Sequence, residues 1–219
     1  MITYQDLKHN EEIRTYIQKA DESLRALGFT EHSFPHVMRV AEVSRYILET
    51  LGFSKHALEL VQMAAYLHDI GNLVNRVDHS QSGAVMAFRI LDHLRMPAED
   101  IATIVTAIGN HDEGTGVPVN PMAAALILAD KSDVRRSRVR NADVTTFDIH
   151  DRVNYSVTES SLEIDESHTS ILLKLTVDTQ FSSVMDYFEI FLKRMTMCRR
   201  AADKLGLTFK LMINGQSLI

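Results

Sequence analysis

One change of hydrophobic period, near residue 140, constrains this 219-residue chain more than any other feature. Before it, apolar residues recur at spacings of three and four. Val37, Val40, Ala41, Ser44, Ile47, Leu48 and Leu51 mark one buried helical stripe, and Leu60, Val61, Ala64, Ala65 and His68 mark a second. The spacing predicts further helices over 4–26, 81–95, 98–109 and 121–136. Gly52 and Gly71 are natural C-terminal stops, and Asn120-Pro121 reads as an N-cap followed by Pro at the first helical position.

After residue 140 the period shortens. Leu162 and Ile164 alternate with polar neighbours, as do Ile171, Leu173, Leu175 and Val177 across the turn-rich stretch 165–169, which predicts an antiparallel hairpin. Phe181, Val184, Phe188, Phe191, Met195, Cys198, Ala202 and Leu205 then repeat at three and four, as one long amphipathic helix does. Phe209, Leu211 and Ile213 suggest a last strand, stopped by Asn214-Gly215. The expected fold is mainly α: a helical domain over 1–140, and a small α+β unit over 141–219 made of antiparallel strands plus one long helix.

A net charge of −6 argues against general nucleic-acid binding, which needs a broad basic surface. The single cysteine, Cys198, excludes an intramolecular disulfide, fits a reducing cytoplasm, and reads as core rather than nucleophile from its place in the stripe. The longest apolar run, Met122 to Ala129, is far short of the roughly 18 residues of a spanning helix. The start carries no basic-then-apolar signal pattern. The expectation is a soluble cytoplasmic protein with no membrane partner. The Phe and Met stripe of the long helix should cover the small sheet, or pack on a second copy as a homodimer interface in the C-terminal unit.

Six polar residues stand out by context. His36 opens a helix after Pro35, His68-Asp69 ends an apolar helix before Gly71, and His79 opens the next helical pattern. His111 follows the apolar helix containing Ile104 and Ile108, and Asp130 ends Met-Ala-Ala-Ala-Leu-Ile-Leu-Ala. Two of these conflict with local physics. Asp69 faces the negative end of a helix dipole, and Asp130 ends a face with no other polar residue. Both conflicts disappear if a cation sits where these helix ends converge. Four imidazoles and two carboxylates, with no thiolate, favour iron, manganese, zinc or nickel over a calcium cage. Six ligands suit two metals bridged by a carboxylate, about 3.5–4 Å apart. Of the other histidines, His9, His32, His56, His93, His150 and His168 sit in polar contexts that predict solvent exposure, with His32 set apart because it lies four residues before His36.

In this order, on consecutive helices, His36, His68-Asp69 and Asp130 resemble the HD-domain superfamily of metal-dependent phosphohydrolases. The strings "AAYLHDIGN" at 64–72 and "ALILADKSD" at 125–133 carry the likeness, which covers roughly residues 30–136. His79 and His111 resemble the binuclear branch that includes the HD-GYP phosphodiesterases, and "IGNHDEGTGVP" at 108–118 looks like a degenerate form of its naming string. The chain departs from that group at His111-Asp112, at Gly116-Val117-Pro118 and at Asn72, where a lysine is common. The resemblance implies that His36, His68, Asp69 and Asp130 hold one metal, that Asp69 bridges, and that His79 and His111 complete a second. The ions would be divalent, with iron or manganese foremost and zinc, nickel, magnesium or cobalt as alternatives.

The implied reaction is hydrolysis of a phosphate ester on a nucleotide or small phosphorylated metabolite, by a phosphomonoesterase or phosphodiesterase using a metal-activated water. Asp69, Lys131 and Asp112 are the candidate catalytic residues. Lys131, with Arg135 and Arg136 from the cluster that also holds Arg138 and Arg140, is a candidate phosphate contact, because guanidinium matches phosphate bidentately. The same ligand set also suits an HD-type diiron oxygenase, or a non-catalytic metal- or nucleotide-binding sensor.

Overall fold

The computed structural model describes residues 2–219. Nine α-helices run in chain order among them: α1 (Tyr4–His9), α2 (Glu11–Ala26), α3 (Phe34–Thr50), α4 (Lys55–Leu67), α5 (His79–His93), α6 (Ala98–Gly109), α7 (Pro121–Ser132), α8 (Ile149–Ser156) and α9 (Val184–Lys204). A sheet of β1 (Val157–Ile164), β2 (Ser170–Val177), β3 (Thr208–Ile213) and β4 (Gln216–Ser217) sits at the C-terminal end. The fold is therefore mainly α with a small α+β unit. No helix among the described residues is long and apolar enough to cross a membrane.

The differences from the sequence pattern lie at element ends and have local causes. The segment over 4–26 is two helices, because the extended backbone of Asn10 ends α1 while its side chain caps α2 by accepting from the Ile13 amide. The helix expected to reach 136 stops at Ser132, where Asp133 leaves helical geometry. The last helix begins at Val184 behind a Ser183–Asp186 capping box, so Phe181 precedes it. Helix α8 had no counterpart in the sequence pattern. The strands are not all antiparallel neighbours: β1–β2 and β3–β4 are, but β2 and β3 run parallel with Leu173 opposite Leu211. A helix-length crossover through α9 permits that pairing, whereas a tight turn does not.

Helix α7 is the axis of the molecule. Every residue from Ala123 to Ser132 is buried, so the helix is enclosed on all sides. One side packs into a cluster with α1–α6, including Leu7, Ile13, Val40, Tyr66 and Ile104. The other shares a cluster with Ile47, Leu58, the sheet residues Leu173 and Leu211, and Tyr187, Phe191 and Cys198 of α9. The apolar stripe of α9 is thus covered within the chain. Close approach at Gly71 sets the other contact that matters for the site. A methyl group there would collide with the His79 carbonyl and the Gly83 amide, so only glycine lets the turn after Asp69 lie directly on the start of α5.

Cys198 is 1% exposed, and burial pushes its thiol up from 9.0 to about 12. The thiolate is the reactive form. Folding thus favours the neutral thiol, a contribution present below pH 9 and lost as pH rises through 12. We expect iodoacetamide at pH 8 to label native protein at least about a hundredfold more slowly than unfolded protein. Equal rates by mass spectrometry would contradict the buried position.

Candidate metal centre

The six residues are delivered by helix ends. His36 lies in the first turn of α3, after a Pro at its start. His68 caps the C-terminus of α4, and Asp69 leads into a 3-10 turn at Ile70–Leu73. His79 is the first residue of α5, His111 follows the C-cap of α6, and Asp130 occupies the last turn of α7. All six are buried.

Asp69 stands between two pairs of imidazoles. Its Oδ2 is 3.6 Å from His36 Nε2 and 3.3 Å from His68 Nε2. Its Oδ1 is 3.5 Å from His79 Nε2 and 3.9 Å from His111 Nε2. Asp130 Oδ1 joins the first pair, 3.3 Å from His36 Nε2 and 3.7 Å from His68 Nε2. His36, His68 and Asp130 form one group able to hold a metal ion, and His68, Asp69 and His111 form another.

The far side of each ring fixes what the near side offers. His68 Nδ1 donates to the Ala65 carbonyl at 2.7 Å, His111 Nδ1 to Ile108 at 2.6 Å and His79 Nδ1 to Arg76 at 3.1 Å. His36 Nδ1 donates to Asp133 Oδ2 at 2.7 Å. Carbonyl and carboxylate oxygens only accept, so each Nδ1 carries a hydrogen, and each ring in its neutral form turns a bare Nε2 lone pair inward. Two of these, on His79 and His111, lie 3.1 Å apart. The Nε2 atoms of His36 and His68 are buried without a hydrogen bond. Lone pairs facing one another beside two carboxylates fit a cation between them, and the donor set of imidazole and carboxylate fits a divalent transition metal.

The charges agree. Burial alone would raise the Asp69 and Asp130 carboxyls, but both are held well below the usual range. His68 acts chiefly on Asp69, and Lys131 together with His36 and His68 acts on Asp130. Burial pushes His111 well down, aided by the charge of His68, and also lowers His79. A proton on His68 is held by Asp69 and Asp130 against the cost of burial, up to about 10. A divalent ion held by the His68 Nε2 would replace that proton.

The centre opens into a cavity of about 410 Å³ lined by Asp69, His79, His111, Asp130 and Lys131. Lys131 Nζ lies 2.6 Å from Asp130 Oδ2 and 3.4 Å from Glu113 Oε1. The structure does not bring Arg135 or Arg136 to this wall. Arg135 is engaged by Asp133 at 2.9 Å and Glu31 at 3.2 Å. Arg136 donates to the Tyr155 carbonyl at 2.6 Å and stacks on the Tyr155 ring. The arginines on the wall are Arg76, Arg138 and Arg194. Asp112 is outside the lining, with Oδ1 4.0 Å from His79 Nδ1, and its neighbour Glu113 lines the cavity instead. His32 is half-buried and lines it, which corrects the expectation of simple solvent exposure; His150 lines it while exposed, and His56 is exposed as expected while pairing with Asp100 at 2.8 Å. Arg76, Glu113 and Arg194 were missed by sequence reasoning. Only Arg194 left a trace, as a charge set beside the apolar stripe of the long helix.

Residues 34–153 match the HD domain family. The chain is also 25% identical over 211 residues to "Uncharacterized protein MJ1020" of Methanocaldococcus jannaschii, covering 85% of this chain and 79% of that protein.

Asp133 orients His36 without facing the cavity. Asp133→Asn is expected to weaken divalent-metal binding about 10–100-fold, the usual effect of losing a carboxylate behind a ligating histidine. Calorimetric titration of chelator-treated protein checks this. Unchanged affinity would remove Asp133 from the centre.

Proposed function

The chain belongs to the HD domain family of metal-dependent hydrolases, which matches more than half of it, and from that premise we propose that it hydrolyses a phosphate ester at a two-metal centre. The observation that carries this reading is the Asp69 carboxylate set between two imidazole pairs, one oxygen toward each. His36, His68 and Asp130 would hold one ion, His79 and His111 the other, and Asp69 both, in the manner of the binuclear, HD-GYP-like branch. Iron or manganese suits this set best, with zinc, nickel, magnesium or cobalt as alternatives.

A divalent pair supplies Lewis acidity, which makes water a usable nucleophile near neutral pH and offsets charge on phosphoryl oxygens. The residues of the chain do the rest. Lys131, held by Asp130 and Glu113, places an ammonium group beside the centre, where it binds a phosphoryl oxygen. Arg76 donates from Nη1 to Asn72 Oδ1 at 3.3 Å, which holds its charge near His79. Asp112 would act only from behind His79, with its Oδ1 4.0 Å from His79 Nδ1. A cavity of about 410 Å³ suits a nucleotide or small phosphorylated metabolite. Arg76, Lys131, Arg138 and Arg194 on its wall, set among carboxylates, favour a phosphate-bearing ligand over the diiron oxygenase reading, which the ligand set alone would also serve.

Metal-loaded protein is expected to release phosphate from members of a panel of nucleotides and sugar phosphates. His68→Ala and Asp69→Ala should each lower the rate at least about a hundredfold, since loss of a ligand exceeds loss of its support. Metal-replete protein that released no phosphate from any of them would sink the proposal.

A further inference from the structure

We propose that Arg194 of α9 is a phosphate-binding residue, so that the C-terminal unit completes the substrate site rather than merely leaning on it. This rests on the hydrolase reading above, and it adds a residue and a unit that the family resemblance does not reach.

Helix α9 places Ile190, Phe191 and Arg194 on the wall that Asp69, His79, His111, Asp130 and Lys131 also form. The Arg194 guanidinium is fixed from two directions. Its Nε donates to Glu113 Oε1 at 2.7 Å, and its Cζ lies over the Phe191 ring, 4.2 Å from the centroid. The Nη1 and Nη2 groups have no hydrogen-bond partner among the described residues, and they are not among its fully buried orphan atoms. A held guanidinium with two free N–H groups at a cavity wall matches the paired oxygens of a phosphate.

The charge balance points the same way. Glu113 Oε1 is shared, 2.7 Å from Arg194 and 3.4 Å from Lys131. The other carboxylate near Lys131 is Asp130, whose Oδ1 faces His36 and His68. Asp130 Oδ2 also holds Lys131 at 2.6 Å, so Lys131 has two carboxylate partners while Arg194 has only the shared Glu113 oxygen, which leaves the outer edge of its guanidinium for an anion. The loop and helix are seated directly on each other. A methyl at Gly116 would strike the Asn110 and Asp112 carbonyls and Met197 of α9, so the Glu113–Arg194 geometry is set by close packing.

The test uses the full-length, manganese-loaded protein with inorganic phosphate as probe. Arg194→Gln should weaken phosphate binding at least about tenfold by calorimetry, the cost of one charged hydrogen-bonded contact. It should raise KM for any ester the wild type hydrolyses by a similar factor, with smaller change in kcat, and leave metal content unchanged. Arg194→Lys, which keeps the charge and loses the fork, should fall between the two, and it serves if the Gln variant does not fold. Equal phosphate affinity in all three proteins overturns the inference, as does a wild type that binds no phosphate. Phosphate binding that depends on Arg194, without hydrolysis of any ester, would sink the hydrolase reading and leave this one standing. Hydrolysis with an unaltered KM in Arg194→Gln would do the reverse.

Discussion

A carboxylate buried at the wrong end of a helix is the constraint around which this molecule is arranged. Asp69 follows the C-terminus of α4, where the dipole already presents negative charge, and it is only 5% exposed. Locally only the adjacent His68 and Asn72, whose Nδ2 donates to Asp69 Oδ1 at 3.0 Å, relieve that position. It becomes favourable because His36, His68, His79 and His111 come from four different helix ends to surround it, and because Gly71 lets the turn behind it press against α5. The centre is therefore a tertiary object: each group alone is a liability, and only the folded set neutralises them.

Helix α7 joins that centre to the remainder of the chain. Its apolar length is enclosed by both hydrophobic clusters, and its last turn puts Asp130 on the metal side and Lys131 on the cavity side. A helix sunk between two packing layers has little freedom to shift. The spacing between the imidazoles and the cation beside them is thus tied to how well the C-terminal sheet and α9 pack.

Much of this was legible in the sequence, and the reasons are physical. Helices α3 to α6 show three-and-four periodicity and α7 an unbroken apolar run, and the six buried polar residues stand at the ends of those patterns, where an imidazole or carboxylate is conspicuous against apolar neighbours. The hairpin and the long helix were legible for the same reason. Helix α8 was not, because eight residues rich in polar side chains carry no clear stripe. The parallel pairing of β2 with β3 was hidden too, since alternation reports a strand and says nothing of its direction. Glu113 and Arg76 lie in short connections, where no periodicity exists to make a side chain stand out.

The arginines after α7 show why spacing along the chain is a poor guide to charge in space. Four of them fall within ten residues of Asp130, which places them near the centre in sequence. Asp133 ends α7 and turns the chain away, and it draws Arg135 and Arg138 to itself along with Arg39. Arg135 and Arg136 then act as struts between segments, and only Arg138 remains at the cavity wall. The same aspartate holds His36 in register. One residue thus both positions a candidate ligand and diverts the local positive charge. That diversion leaves much of the positive charge on the cavity wall to residues distant in sequence, Arg76 from one side and Arg194 from the other.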